Sequence, residues 1–114
     1  MTINELAKNL ELRRQSGDVK SDTSREIASC YISDLLSRVL GGCEPDDVWI
    51  TVQSSLNMVA VAVMAEASCV ILPEGLTAPD SVVEKANEEG LTIFSSKESA
   101  FSLAVKIAEL LGKG

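Results

Sequence analysis

At 114 residues and 12.1 kDa, the chain is long enough for one domain and too short for two. Hydrophobic residues make up 46% and charged residues 24%, a globular composition, and with one Trp, one Tyr and two Phe the core falls to Val, Leu, Ile, Ala and Met. Ten basic residues against seventeen acidic ones give a net charge of −7, which repels phosphate backbones and anionic lipid surfaces and excludes nucleic acid and membrane surfaces as partners.

Thr2-Ile3-Asn4-Glu5 has the spacing of a capping box, and Ile3, Leu6, Ala7 and Leu10 then recur at helical spacing. Glu11 to Ser16 reads as a short exposed strand and Gly17 to Ser24 as a polar loop. Arg25 to Ile32 alternates as a strand does. Ser33 is positioned to cap a short helix from Asp34 to Leu40, which Gly41-Gly42 would end.

The pattern is more regular from Val48 onward. Val48 to Val52 is a compact strand, Ser54 or Ser55 caps a helix from Leu56 to Glu66, and Cys69 to Leu72 is a second apolar strand. A loop from Pro73 to Pro79 leads to Asp80, which would cap the helix Ser81 to Glu89, with Gly90 as its left-handed stop. Leu91 to Phe94 forms the next strand. Ser95 and Glu98 repeat the capping-box spacing before a last helix that runs to Leu111. Strands alternating with helices over short turns imply βαβ crossovers. The expectation is a single α/β domain over residues 1–114, compact and three-layered, with a mainly parallel sheet.

Catalytic constellations are poor. The chain has no His, no GxxxxGK[ST] loop and no GxGxxG fingerprint, so neither a Ser/Cys–His pair nor phosphoryl transfer is supported. Cys30, Cys43 and Cys69 are odd in number and widely spaced, which argues against zinc and for reduced cytoplasmic thiols. Glu44, Asp46 and Asp47 lack the spacing of a calcium loop and read as a solvated turn. No signal segment opens the chain, and the longest apolar stretch, Met58 to Ala65, falls far short of a bilayer span. The expectation is a protein without catalysis, metal or resident cofactor.

In an open α/β sheet, ligands bind beyond the carboxyl ends of the strands. That edge would be lined by Ser33, Asp34, Thr51, Gln53, Ser54, Ser55, Glu74, Gly75, Ser95 and Ser96, a set suited to a small polar or anionic ligand. Each serine can equally be a helix cap. The helix from Leu56 is apolar nearly all round, whereas a sheet covers only one face. A second copy of the chain, meeting it at Leu56, Met58, Val59, Val61, Ala62 and Met64, would cover the other, as would a neighbouring helix of the same chain.

Taken together, Tyr31-Ile32-Ser33-Asp34-Leu35-Leu36-Ser37, Asp47-Val48-Trp49-Ile50-Thr51-Val52-Gln53, Asn57-Met58-Val59-Ala60-Val61-Ala62 and Ala86-Asn87-Glu88-Glu89-Gly90-Leu91-Thr92-Ile93-Phe94-Ser95-Ser96 resemble the stand-alone bacterial DRTGG-domain proteins. The same fold resembles the N-terminal domain of HPr kinase/phosphorylase, without the kinase domain. The resemblance implies a regulatory module that pairs with itself, in a family some of whose larger members respond to adenine nucleotides. The alternative it implies is an adaptor or accessory subunit to a redox enzyme of the hydrogenase type, or to a signalling protein. The chain departs from the motif behind the family name. Ser54-Ser55 falls where Asp-Arg would, and Pro73-Glu74-Gly75 where Thr-Gly-Gly would, so a phosphate-binding Arg is missing there and a Glu is added.

Overall fold

The computed structural model describes residues 1–112 apart from Thr23. Five strands form one sheet in the order β1-β5-β4-β3-β2. They are β1 (Arg13–Ser16), β2 (Cys30–Ile32), β3 (Val48–Ile50), β4 (Cys69–Leu72) and β5 (Ile93–Ser95). β2 through β5 are parallel, and β1 closes the far edge antiparallel to β5, opposite in direction to the other strands.

The helices are α1 (Ile3–Asn9), α2 (Val19–Asp22), α3 (Leu36–Gly42), α4 (Leu56–Met64), α5 (Asp80–Glu89) and α6 (Ala100–Leu110). Each step from β2 to β5 moves to the neighbouring strand through one helix. Right-handed crossovers then require α3, α4 and α5 on one face. That face buries Val39, Met58, Val59, Ala62, Val82 and Ala86 against Trp49, Val70, Leu72 and Ile93. The opposite face packs Ile3, Leu6, Leu10, Leu103 and Ile107 of α1 and α6 against Val48, Ile50, Cys69, Ile71 and Phe94. Neighbouring residues of one strand thus serve opposite layers, which is why β3 and β4 read as unbroken apolar runs. The expected three-layer α/β architecture is present.

Several local expectations are corrected. The loop expected over Gly17 to Ser24 contains the short helix α2. β2 is only three residues long, because the preceding segment pairs with the N-terminus instead: Ile27 N donates to Met1 O and Ile3 N to Arg25 O. α3 starts at Leu36, with Leu35 at its N-cap and no side-chain cap. Gly41 and Gly42 lie inside α3 rather than ending it. Gly42 is there for a close approach, since a Cβ would collide with the Tyr31 ring. Pro79, not Asp80, precedes α5, and α6 is capped by Ser99, whose Oγ accepts from Ser102 N. The capping box at Thr2 and Glu5, the Ser55 cap on α4 and the left-handed Gly90 all stand as read.

The structure also redraws the expected self-association surface. Met58, Val59, Val61 and Ala62 pack in the chain's own core. Leu56 and Met64 remain exposed, with Val63 beside them. The near-uniform apolarity of α4 therefore combines a core face with a smaller uncovered strip.

Candidate functional site

The residues expected at the carboxyl edge of the sheet separate into two groups. The first is a closed polar knot between the loops that follow β2 and β3. Asp34 Oδ1 accepts from Thr51 Oγ1 at 2.8 Å and from Val52 N at 2.9 Å. Gln53 Nε2 donates to Asp34 O, and Gln53 N donates to Thr51 Oγ1. Ser33 O accepts from the buried Trp49 indole at 2.9 Å, and Ser33 Oγ accepts from Leu35 N. Ser55 Oγ caps α4 through Met58 N, with Ser54 beside it in the loop. Asp34, Thr51 and Gln53 hold the two loops together, and these three with Ser33 and Ser55 have side-chain partners within the chain. Asp34 is engaged across the knot, which is why it does not open the first turn of α3.

The second group joins the loop after β4 to the approach to α6. Glu74 and Gly75 both have positive φ, 59° and 75°. Their amides donate to Glu98 O at 2.8 Å and Ser96 O at 2.7 Å. Ser95 Oγ donates to Leu76 O, and Ser96 Oγ accepts from Glu98 N. Two successive amides in left-handed residues could cradle an anion, but here backbone carbonyls occupy them. The serines and the Pro73-Glu74-Gly75 turn build a wall.

That wall borders an open cleft of about 460 Å³. Gly75, Ser95 and Ser96 line it, and so do Arg13, Lys97 and Lys106. Because β1 runs antiparallel to β5, Arg13 sits opposite Ser95 and so reaches the carboxyl edge from the first strand. Neither Arg13 nor Lys97 forms an ion pair with any of the described residues. Lys106 is paired: its Nζ lies 2.6 Å from Glu98 Oε1, which also accepts from Ser102 Oγ at 2.7 Å. Hydrogen bonds from Lys106 and then Ser102 hold the Glu98 carboxyl below the usual range. Glu11 is the second carboxylate at the rim.

A buried network anchors the strand that carries Arg13. The Arg14 guanidinium donates to Asp22 Oδ2 at 2.7 Å, to Asn4 Oδ1 and to Ser16 O, and lies 5.1 Å from the centre of the Phe94 ring. Thr92 Oγ1 reaches both Asp22 oxygens at 3.0 Å. Ser16 Oγ bridges Leu91 O and Ile93 N, spanning the bulge between Arg14 and Ser16.

Sequence reasoning missed Arg13 and Lys106. The place of Arg13 depends on a strand register fixed some eighty positions away. Elsewhere, a smaller cleft beside Arg25 is rimmed by Asp46, Glu66 and Glu89; Arg25 is engaged there by Asp46 Oδ1 and Glu66 O. Among the described residues, no group of three or more acidic, Cys or His side chains is placed to hold a metal, and every buried side-chain nitrogen or oxygen has a hydrogen-bond partner. Burial pushes the thiols of Cys30 and Cys69 up to about 12 and that of Cys43 to about 11. No helix among the described residues is long and apolar enough to cross a membrane.

The fold is a three-layer α/β domain built on a mainly parallel five-stranded sheet. No family model and no curated protein matches the sequence. Among solved structures, the chain is similar to the CBS and DRTGG domains of the regulatory region of Clostridium perfringens pyrophosphatase, complexed with its activator diadenosine tetraphosphate. The TM-score is 0.73 at 13% identity over 93% of this chain, and the match spans 45% of that chain. At that identity the likeness speaks for the fold. It does not bear on the resemblance to HPr kinase/phosphorylase.

Proposed function

We propose that the domain is a non-catalytic, cytoplasmic regulatory module that acts as a homodimer and senses an adenine nucleotide in the Arg13–Lys97 cleft. The observation that carries this reading is a local reversal of charge. In a chain of net charge −7, two cations without an ion-pair partner among the described residues face one cleft at the ligand-binding edge of the sheet. Arg13 reaches this cleft from the edge strand β1. The structurally similar regulatory region is itself complexed with an adenine-nucleotide activator.

The chemistry of the remaining groups favours binding over turnover. The Ser95 and Ser96 hydroxyls are bonded within the wall, and thiols with values near 11 and 12 stay protonated at neutral pH. Titration calorimetry with ATP, ADP, AMP and diadenosine tetraphosphate tests the reading, with light scattering on the same sample. Saturable binding that is lost in Arg13→Ala/Lys97→Ala, without hydrolysis of the nucleotide, supports it. Binding unaffected by that double substitution removes the site, and nucleotide turnover removes the non-catalytic assignment.

A second reading, an accessory subunit of a redox enzyme or signalling protein, draws on a different observation. Ile32, Leu35, Val52 and Phe101 are exposed near the same carboxyl edge, Phe101 at 78%. Docking of a partner protein there, with no nucleotide response, would favour it.

A further inference from the structure

We propose that Glu98 is a built-in competitor for the cleft, and that the cleft's ligand is a polyphosphate chain carrying three or more negative charges rather than a single phosphate. This rests on the reading of the Arg13–Lys97 cleft given above. Glu98 is anchored through its backbone, since its N–H donates to Ser96 Oγ and its carbonyl accepts from Glu74 N. Among the described residues, its carboxylate is held by Lys106 Nζ and Ser102 Oγ. It stands directly before the Ser99 cap of α6, where the helix dipole favours an anion. An anion of the protein's own thus neutralises one of the three cations around the cleft.

The consequence is a threshold set by charge. Arg13 and Lys97 can receive an incoming anion without rearrangement, but Lys106 contributes only if the newcomer outcompetes Glu98. Orthophosphate presents one phosphoryl group and can be met by Arg13 and Lys97 alone. A tripolyphosphate chain spans several phosphoryl groups and can engage all three cations, releasing Glu98 to solvent, where a carboxylate is readily hydrated. Glu98 therefore sets specificity without contacting the bound ligand. Glu11, the other carboxylate at the rim, opposes every anion and adds to the threshold.

The test uses sodium tripolyphosphate and sodium orthophosphate as probes in titration calorimetry, on the wild-type chain and on Glu98→Gln. The glutamine keeps an oxygen for Ser102 and removes the charge, and thermal unfolding verifies that the variant is folded. Tripolyphosphate is expected to bind the wild type at least tenfold more tightly than orthophosphate. Glu98→Gln is expected to tighten tripolyphosphate about fivefold, the upper end for an exposed ion pair. In Glu98→Gln/Lys106→Gln that gain disappears, because the cation it frees is gone. If Glu98→Gln binds tripolyphosphate as the wild type does, or more weakly, while Arg13→Ala/Lys97→Ala abolishes binding, the competitor role is overturned and the cleft survives. If neither probe binds the wild type or Glu98→Gln, the cleft reading fails with it.

Discussion

Replacing Asp22 with alanine removes the acceptor at the centre of the network that holds β1 to the sheet. In the native chain its carboxylate is 6% exposed, bonds to the Arg14 guanidinium at 2.7 Å and receives Thr92 Oγ1 at 3.0 Å. Breaking a fully buried pair by deleting one partner costs about 3–5 kcal/mol. The Arg14 side chain is 24% exposed and keeps Asn4 Oδ1 and Ser16 O, so part of that cost is recovered by water. Stranding the Thr92 hydroxyl adds about 1 kcal/mol. The sum is about 3 kcal/mol, or a fall in Tm of about 10 °C for a domain of this size. Urea unfolding followed by circular dichroism measures it directly. Thr92→Val, which removes a single donor, should cost about 1 kcal/mol. Because Arg13 rides on the same strand, Asp22→Ala should also weaken nucleotide binding while the variant is still folded. A destabilisation below about 0.5 kcal/mol, the range of an ordinary surface substitution, would refute the claim that this network anchors the edge strand.

Three further outcomes follow from the geometry. Ser55→Ala removes the cap on α4 and should destabilise the domain by about 1 kcal/mol in the same urea assay. The thiol shifts predict a loss of stability at high pH. Cys30 and Cys69 keep their protons in the fold up to about 12, whereas the unfolded chain releases them from the ordinary value of 9.0. The native state then binds more protons than the unfolded state, so stability is intact below pH 9 and falls as pH rises from there toward 12. Cys69→Ala should flatten that decline, and an unchanged slope would contradict the assignment. Finally, Val61→Glu and Met64→Glu should differ in kind: Val61 is a core residue of α4 and Met64 is 70% exposed. A charge at Val61 should unfold the domain. At Met64 the chain should stay folded, with light scattering reading a shift from dimer to monomer if the α4 strip is the interface.

Sequence legibility followed the range of the interactions. Thr2 with Glu5, Ser55 with Met58, and the run Cys69–Leu72 could be read because the relevant partners lie within a few residues or because burial on both faces is itself a pattern. Ser95 and Glu98 misled for a local reason. Their spacing is that of a capping box, but Ser95 is tied to Leu76 O and the cap falls to Ser99. Asp34 looked like the first turn of a helix and a ligand contact; it is instead claimed by Thr51 and Val52, seventeen and eighteen positions on. The carboxyl edge was correctly located because alternating strands and helices fix its position. Which of its side chains remain open was not legible, since that depends on the antiparallel register of β1 and on the return of α6 across the sheet.

The most direct test of the account is an amide chemical-shift titration of the isotope-labelled chain with ATP. The account predicts saturable shifts at Arg13, Gly75, Ser95 to Glu98 and Lys106, with Asp34, Thr51 and Gln53 unmoved. Shifts centred on Asp34 to Gln53 would show that the polar knot opens to the ligand. No saturable shift anywhere would contradict the nucleotide-sensing function itself.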